Sequence, residues 1–257
     1  KLPDSVPPAI SKSFEILIPV AVISIVFQII NVIIQKNMLV MLPDLIMVIF
    51  QPLLNLSDGL VSIIIILFLI HILWFCGLHG ANIINPVVMV ISMTNLAINQ
   101  QALANGEAIP KILAGEFMNN FVYFGGSGST LGFCIALLMV KNAHLKSIGK
   151  LAIIPGCFNI NEPIMFGVPI VMNPIFAIPF ILTPIINAII SYTFMKLNIV
   201  GKVVALTPWT TPPALGGFMA SNLNFAAPIL VICLIILDYI IYKPFLNMYI
   251  KELEKEE

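Results

Sequence analysis

Long apolar runs alternate along this chain with short stretches in which proline, glycine, asparagine and threonine gather. Ser13 to Ile34 is apolar almost throughout. About 20 such residues cross a bilayer, so this run predicts a first membrane helix, bent at Pro19. Residues 1–12 hold three prolines with Asp4 and Lys12 and read as a loop or interfacial lead-in. Glu15 then falls near the helix start, where the interface or the positive helix end can hold it. Lys36 to Ser57 is broken by Pro43-Asp44 and by Pro52, which suits a short tilted or interfacial helix. Gly59 to Phe75 is an Ile/Leu-rich run closing on Trp74, an aromatic at an interface position, and His71 within it reads as a packed polar residue. Val171 to Met195, with Pro174, Pro179 and Pro184, and Asn224 to Tyr242 supply two more spans, the last running into a charged tail that ends at Glu257.

Between these runs the pattern breaks. Cys76-Gly-Leu-His79-Gly-Ala-Asn82-Ile-Ile-Asn85-Pro86 reads as a re-entrant turn, because the apolar part after Pro86 is too short to span and Asn95 to Glu107 is polar. Leu206 to Gly217, dense in proline, threonine and glycine, cannot be a lipid-facing helix and reads as a second hairpin with Trp209 near its tip. Glu116 to Val140 carries Gly125-Gly-Ser-Gly-Ser-Thr130 ahead of an apolar helix. Small residues there suit close helix packing. A phosphate-binding loop is excluded, since no lysine follows at the required spacing. Asn159-Ile-Asn161-Glu162-Pro163-Ile-Met-Phe-Gly167 places amides and a carboxylate on backbone that Pro155-Gly156 and Pro163 keep irregular. Such backbone survives at membrane depth only around a protein-enclosed or watery site. The prediction is an all-α membrane protein of about five transmembrane helices and two re-entrant hairpins, with some helices broken or amphipathic.

Composition sharpens this class. The 257 residues are 60% hydrophobic and 9% charged, with zero net charge, and all the basic residues are lysines. Neither a nucleic-acid footprint nor a polybasic lipid patch is present. Cys76, Cys134, Cys157 and Cys233 lie scattered in apolar runs without metal-ligand or redox spacing, so no metal or cofactor is expected. Three lysines between Lys141 and Lys150 place that loop in the cytoplasm, although Lys196 and Lys202 then fall on the outer side. The opening Lys1-Leu-Pro-Asp, without initiator methionine or signal peptide, is read as the start of a piece of something longer.

The candidate chemistry lies in Glu162 and His79, with Asn82, Asn119, Asn161, Trp209 and Thr211 around them. A lone membrane histidine or tryptophan is ordinarily structural. Together, a carboxylate and amides suit vicinal hydroxyls, an imidazole adds a tunable partner, and an indole packs on the apolar face of a sugar ring. The absence of arginine argues against a strongly anionic ligand, so a neutral carbohydrate fits. Ion-driven secondary transport, with Glu162 and His79 as a relay, and a non-transporting membrane scaffold remain open on these residues alone.

Cys76-Gly-Leu-His79-Gly-Ala-Asn82, Asn161-Glu162-Pro163-Ile-Met-Phe-Gly167, Pro208-Trp209-Thr-Thr-Pro212-Pro213 and the opening Leu2-Pro3-Asp4-Ser-Val6-Pro7-Pro8 resemble enzyme IIC of the bacterial phosphotransferase system, in its lactose/cellobiose/diacetylchitobiose branch. The resemblance implies that residues 1–257 are the C-terminal sugar-transport domain, with an N-terminal dimerisation half absent. It further implies a multi-pass protein of the bacterial inner membrane that is a homodimer at full length. Glu162 would hydrogen-bond the sugar hydroxyl to be phosphorylated and help to deprotonate it, a role that desolvation would favour. His79 would bind the same region and Trp209 would stack. The phosphoryl group would come from a phosphocysteine on a cytoplasmic IIB partner, and none of the four cysteines here would serve.

Overall fold

The computed structural model describes residues 8–41 and 58–256. The interfacial helix expected over Lys36 to Ser57 lies largely outside the described residues. Residues up to Asn55 form one compact unit and those from Leu56 onward a second. In the first, α1 (Pro8–Met38) is a single helix with Pro19 inside it, beginning earlier than the proline-rich opening suggested. Its apolar side chains from Val20 to Ile33 are exposed, as a lipid-facing helix requires.

The second unit is built from nine helices among the described residues: α2 (Leu60–Phe75), α3 (Gly80–Ala104), α4 (Phe117–Phe121), α5 (Leu131–Leu138), α6 (Ala143–Cys157), α7 (Glu162–Gly167), α8 (Pro174–Lys196), α9 (Pro213–Ala220) and α10 (Ala226–Glu256). Together with the Pro19–Met38 part of α1, helices α3, α8 and α10 are long and apolar enough to cross a membrane, four in all; α2 is a shorter apolar helix. The spans expected at α1, α8 and α10 therefore stand, whereas the run Gly59 to Phe75 forms only the shorter α2 and a fourth span falls at α3, where a re-entrant turn was expected; α4, α5, α7 and α9 are the short helices of a fold with broken segments.

Three elements differ from the pattern reading. Helix α3 runs unbroken through Pro86 and through the polar stretch that was expected to lie outside the hydrocarbon. The reason is tertiary: Asn95 donates to the Leu113 carbonyl (2.7 Å) and Asn99 to the carbonyls of Lys111 and Val203 (both 2.8 Å), so these buried amides are consumed by distant backbone. The lysine-bearing loop after Lys141 is helix α6, started by Asn142, whose Oδ1 accepts the Leu145 N–H at 3.0 Å. The run Gly125 to Thr130 is no helix-packing surface but a buried turn between α4 and α5, with positive φ at Gly125, Gly126 and Gly128.

Helix α8 shows how the core is sorted from lipid. Asn173 caps it through the Ile175 N–H (2.9 Å) with Pro174 behind. Phe176, Phe180, Thr183, Asn187 and Ser191 line its buried side, whereas Ile178, Leu182 and Ile189 are exposed. Phe133 stacks on Tyr242 with centroids 4.8 Å apart, and Phe176 lies 5.1 Å from Phe133, so α5, α8 and α10 share one aromatic core. Helix α2 packs against both α8 and α3, and α4 packs against both α8 and α9. The irregular turn between α4 and α5 is therefore buried among these helices.

Candidate functional site

The buried turn from Val122 to Thr130 is the site's foundation. Irregular backbone inside a membrane protein must find hydrogen-bond partners within the protein. The Gly125 N–H goes to Asn159 Oδ1 (3.1 Å) and the Gly128 N–H to His71 Nε2 (2.9 Å). The Ser127 carbonyl accepts from Asn161 Nδ2 (2.8 Å), and the Gly128 carbonyl from the Tyr242 hydroxyl (2.6 Å). Within the turn, the Thr130 hydroxyl donates to the Gly125 carbonyl (2.7 Å) and Ser129 to that of Val122. His71 must therefore carry its hydrogen on Nδ1, which faces the Leu67 carbonyl at 2.6 Å. It is packed, as expected, but as a clamp on the turn. Gly128 has φ +84°, and a Cβ there would collide with the Phe180 ring, so no other residue fits.

Asn159 occupies the left-handed region (φ 63°), which asparagine tolerates well. Besides holding Gly125, it donates to the Trp209 carbonyl at 2.8 Å and to that of Thr211 at 3.4 Å. One side chain thus ties the segment before α9 to the glycine-rich turn. On the other flank His79 caps α3, its Nδ1 accepting the Asn82 N–H at 3.1 Å. That bond leaves Nε2 as the ring's hydrogen-bond donor. The Trp74 ring lies 4.2 Å from the His79 ring.

These elements surround a cavity of about 460 Å³, within the range of sites that enclose a small ligand. Glu162, His79, Asn82, Asn119, Asn161 and Trp209 all line it. Thr211 does not; its carbonyl turns back to Asn159, because the Pro208–Thr211 turn directs it away. Asn161 is buried and spends its amide N–H on Ser127, so it builds the wall as much as it faces the cavity. Glu162, at the start of α7, is exposed to the open cavity rather than tucked away, and Trp209 is 52% exposed. An acceptor and an aromatic face are thus presented to whatever enters.

Several lining residues escaped the sequence reading. Trp74, expected at a lipid interface, is buried, and its indole N–H has no partner among the described residues although the ring borders the cavity. Glu116 adds a second carboxylate, held by Asn119 Nδ2, and Asn85, Ser92 and Tyr123 add further polar groups. Proximity to Asn119 was the one available signal for Glu116. Among the described residues no group of three or more His, Cys, Asp or Glu side chains could hold a metal ion.

Comparison with known proteins places this geometry. Residues 1–184 match the family model "Phosphotransferase system, EIIC". The lactose-specific EIICB component of Staphylococcus aureus (strain N315) is 36% identical over 258 residues, covering 100% of this chain and 45% of that protein. The lichenan permease IIC component of Bacillus subtilis (strain 168) is 36% identical over 260 residues, covering 100% and 58%. The chain thus spans about half the length of these relatives. The crystal structure of the transporter ChbC, the IIC component of the N,N'-diacetylchitobiose-specific phosphotransferase system, matches with TM-score 0.75 and 37% identity over 98% of this chain and 59% of that one. With its apolar spanning helices and this match over most of its length, the chain is an integral membrane protein that belongs to the EIIC family of the phosphotransferase system.

Proposed function

We propose that this chain is the sugar-binding portion of a membrane transport component. It takes up a β-linked disaccharide of the cellobiose, diacetylchitobiose or lactose type and presents it to a phosphorylated IIB partner in the cytoplasm. In this reading it is the C-terminal transport domain of a longer multi-pass protein of the bacterial inner membrane, homodimeric at full length. The observation that carries the proposal is the single cavity around which Glu162, His79, Asn82, Asn119, Asn161 and Trp209 meet. Relatives named for lactose, lichenan and diacetylchitobiose support the substrate class.

The chemistry follows from the donor and acceptor pattern. The Glu162 carboxylate accepts the hydrogen of the reacting hydroxyl, while His79 Nε2–H donates to the same region of the sugar. As Glu162 removes that proton, the hydroxyl oxygen attacks phosphorus, the S–P bond of the partner's phosphocysteine breaks and its thiolate leaves. Trp209 covers the apolar sugar face, and Asn82 and Asn119 hold the remaining hydroxyls. Vesicles containing the full-length protein test this directly. Labelled disaccharide accumulates inside as its phosphate only when phosphorylated IIB is present on the cytoplasmic side. Unmodified sugar accumulating on a sodium or proton gradient, indifferent to IIB, would replace the proposal with ion-coupled transport.

A further inference from the structure

One ionisable group of the membrane interior has no part in the cavity. Asp238 lies in the apolar run of α10 with no exposed surface, and it lines neither of the two cavities beside Trp74 and His79. Among the described residues neither oxygen of its carboxyl has a hydrogen-bond partner. Gly132 lets α10 approach this closely, since a Cβ there would sit 2.6 Å from the Asp238 Cβ. From α8 Asn187 comes within hydrogen-bonding reach of the carboxyl, although its amide is aimed at the turn. The other titratable groups here are Cys134 on α5, a neighbour of Tyr242, and Tyr242 itself on α10, which has spent its hydroxyl on Gly128. Lys243 is exposed and lies over the Tyr239 ring, so no cation enters the cluster.

Asn187 cannot supply the missing hydrogen. Its amide hydrogens are committed to Ser129 Oγ (3.0 Å) and the Val122 carbonyl (3.3 Å). Turning the amide over would set its oxygen against that carbonyl, because the Ser129 hydroxyl already donates to it. The Asn187 oxygen is thus fixed as a buried acceptor, and it too lacks a donor. A buried carboxylate beside acceptors, without cation or donor, is among the costliest arrangements a membrane protein can hold, whereas a single proton relieves both deficits.

We propose that Asp238 is a neutral carboxylic acid in the folded protein and a positioning residue for the cavity, its O–H serving the Asn187 amide oxygen and so holding Asn187 on the glycine-rich turn. That turn fixes Asn159 and Asn161, through which the effect reaches the cavity wall. The test uses the full-length protein in nanodiscs. Infrared difference spectra at neutral pH between the wild type and Asp238→Asn contain the carbonyl stretch of a protonated carboxyl in the wild type only. Asp238→Asn, whose amide still donates, keeps the wild-type unfolding midpoint, and Asp238→Leu lowers it. Asp238→Leu also weakens disaccharide binding about tenfold, the loss expected from one buried hydrogen bond left unmade. No infrared difference, an Asp238→Asn variant as damaged as Asp238→Leu, or stability that rises with sodium in the wild type alone would overturn the proposal. The sugar arm rests on the proposed function. The infrared and stability arms do not, so wild type that binds no disaccharide yet carries the band would sink that function and leave Asp238 as assigned.

Discussion

Asn159 joins the glycine-rich turn to the Trp209 segment, and the cost of removing it can be worked out contact by contact. Gly125 is buried, so losing the Asn159 acceptor leaves a backbone N–H with no exchange partner, at about 1–3 kcal/mol. The Trp209 carbonyl belongs to an exposed residue, and that bond is worth nearer the ~0.6 kcal/mol average for side-chain hydrogen bonds in membrane proteins. Alanine also has to adopt φ 63°, which costs a further ~1–2 kcal/mol and which glycine escapes. Asn159→Ala should therefore destabilise by about 3–6 kcal/mol and Asn159→Gly by about 2–4 kcal/mol, with the Gly125 contact dominant in both. Chemical unfolding of both variants in detergent measures this ordering. Binding reports the other half of the argument: if Asn159 acts on the sugar through Trp209, then Asn159→Gly and Trp209→Ala are non-additive in a double-mutant cycle read by calorimetry. An Asn159→Ala protein as stable as the wild type, or strict additivity with Trp209→Ala, would refute the reasoning.

Other substitutions probe separate parts of the site. Glu162→Gln keeps the cavity's shape but cannot accept a proton, so formation of phosphorylated sugar in the presence of IIB falls about 10²–10⁴-fold, with far less change in sugar Kd; equal product yield would remove the assigned role. Trp74→Phe deletes a buried indole N–H that has no partner among the described residues, so the free protein is as stable or more so, while calorimetry gives weaker disaccharide binding. Unchanged affinity would mean that this N–H is not meant for the ligand. Gly128→Ala combines a strained φ with collision against Phe180 and costs about 2–5 kcal/mol in unfolding experiments; a neutral result would mean that the turn is looser than its packing implies.

What the chain discloses about itself divides along a physical line. The spans at α1, α8 and α10 were legible because lipid imposes length and apolarity on a single segment, a constraint that needs no knowledge of neighbours. That Glu162, His79 and Asn82 would line one cavity was legible because polar groups in apolar surroundings stand out. Helix α3 was misread for the complementary reason. Asn95 and Asn99 look like residues of a loop until the carbonyls of Leu113, Lys111 and Val203, the last 104 positions away in sequence, are found to absorb them. Trp74 was misplaced because an aromatic at the end of an apolar run serves a lipid interface or a ligand cavity equally well, and only its distance to His79 separates the two. Thr211 lies outside the cavity lining because it closes the Pro208–Thr211 turn, a local geometry that residue types alone do not disclose.

The polar side chains of this protein do two kinds of work that must be kept apart when variants are interpreted. Asn159, Asn161, Asn187, His71 and Tyr242 satisfy backbone groups of the turn between α4 and α5, and their hydrogen-bonding capacity is largely spent there. Glu162, His79, Asn82 and Trp209 present unspent acceptors, donors or ring faces to the cavity. The first set cannot be thinned without exposing unpaired backbone at membrane depth, so its loss is read first in stability. Apart from His79, which also caps α3, the second set is not tied to the turn, and its loss is expected to be read in binding or turnover. Asn161 stands on the boundary: its amide is bonded to Ser127, yet it lines the cavity immediately before Glu162. The acid is therefore carried by the residue that anchors the wall to the turn, so the turn and the Glu162 end of the cavity share one mechanical support.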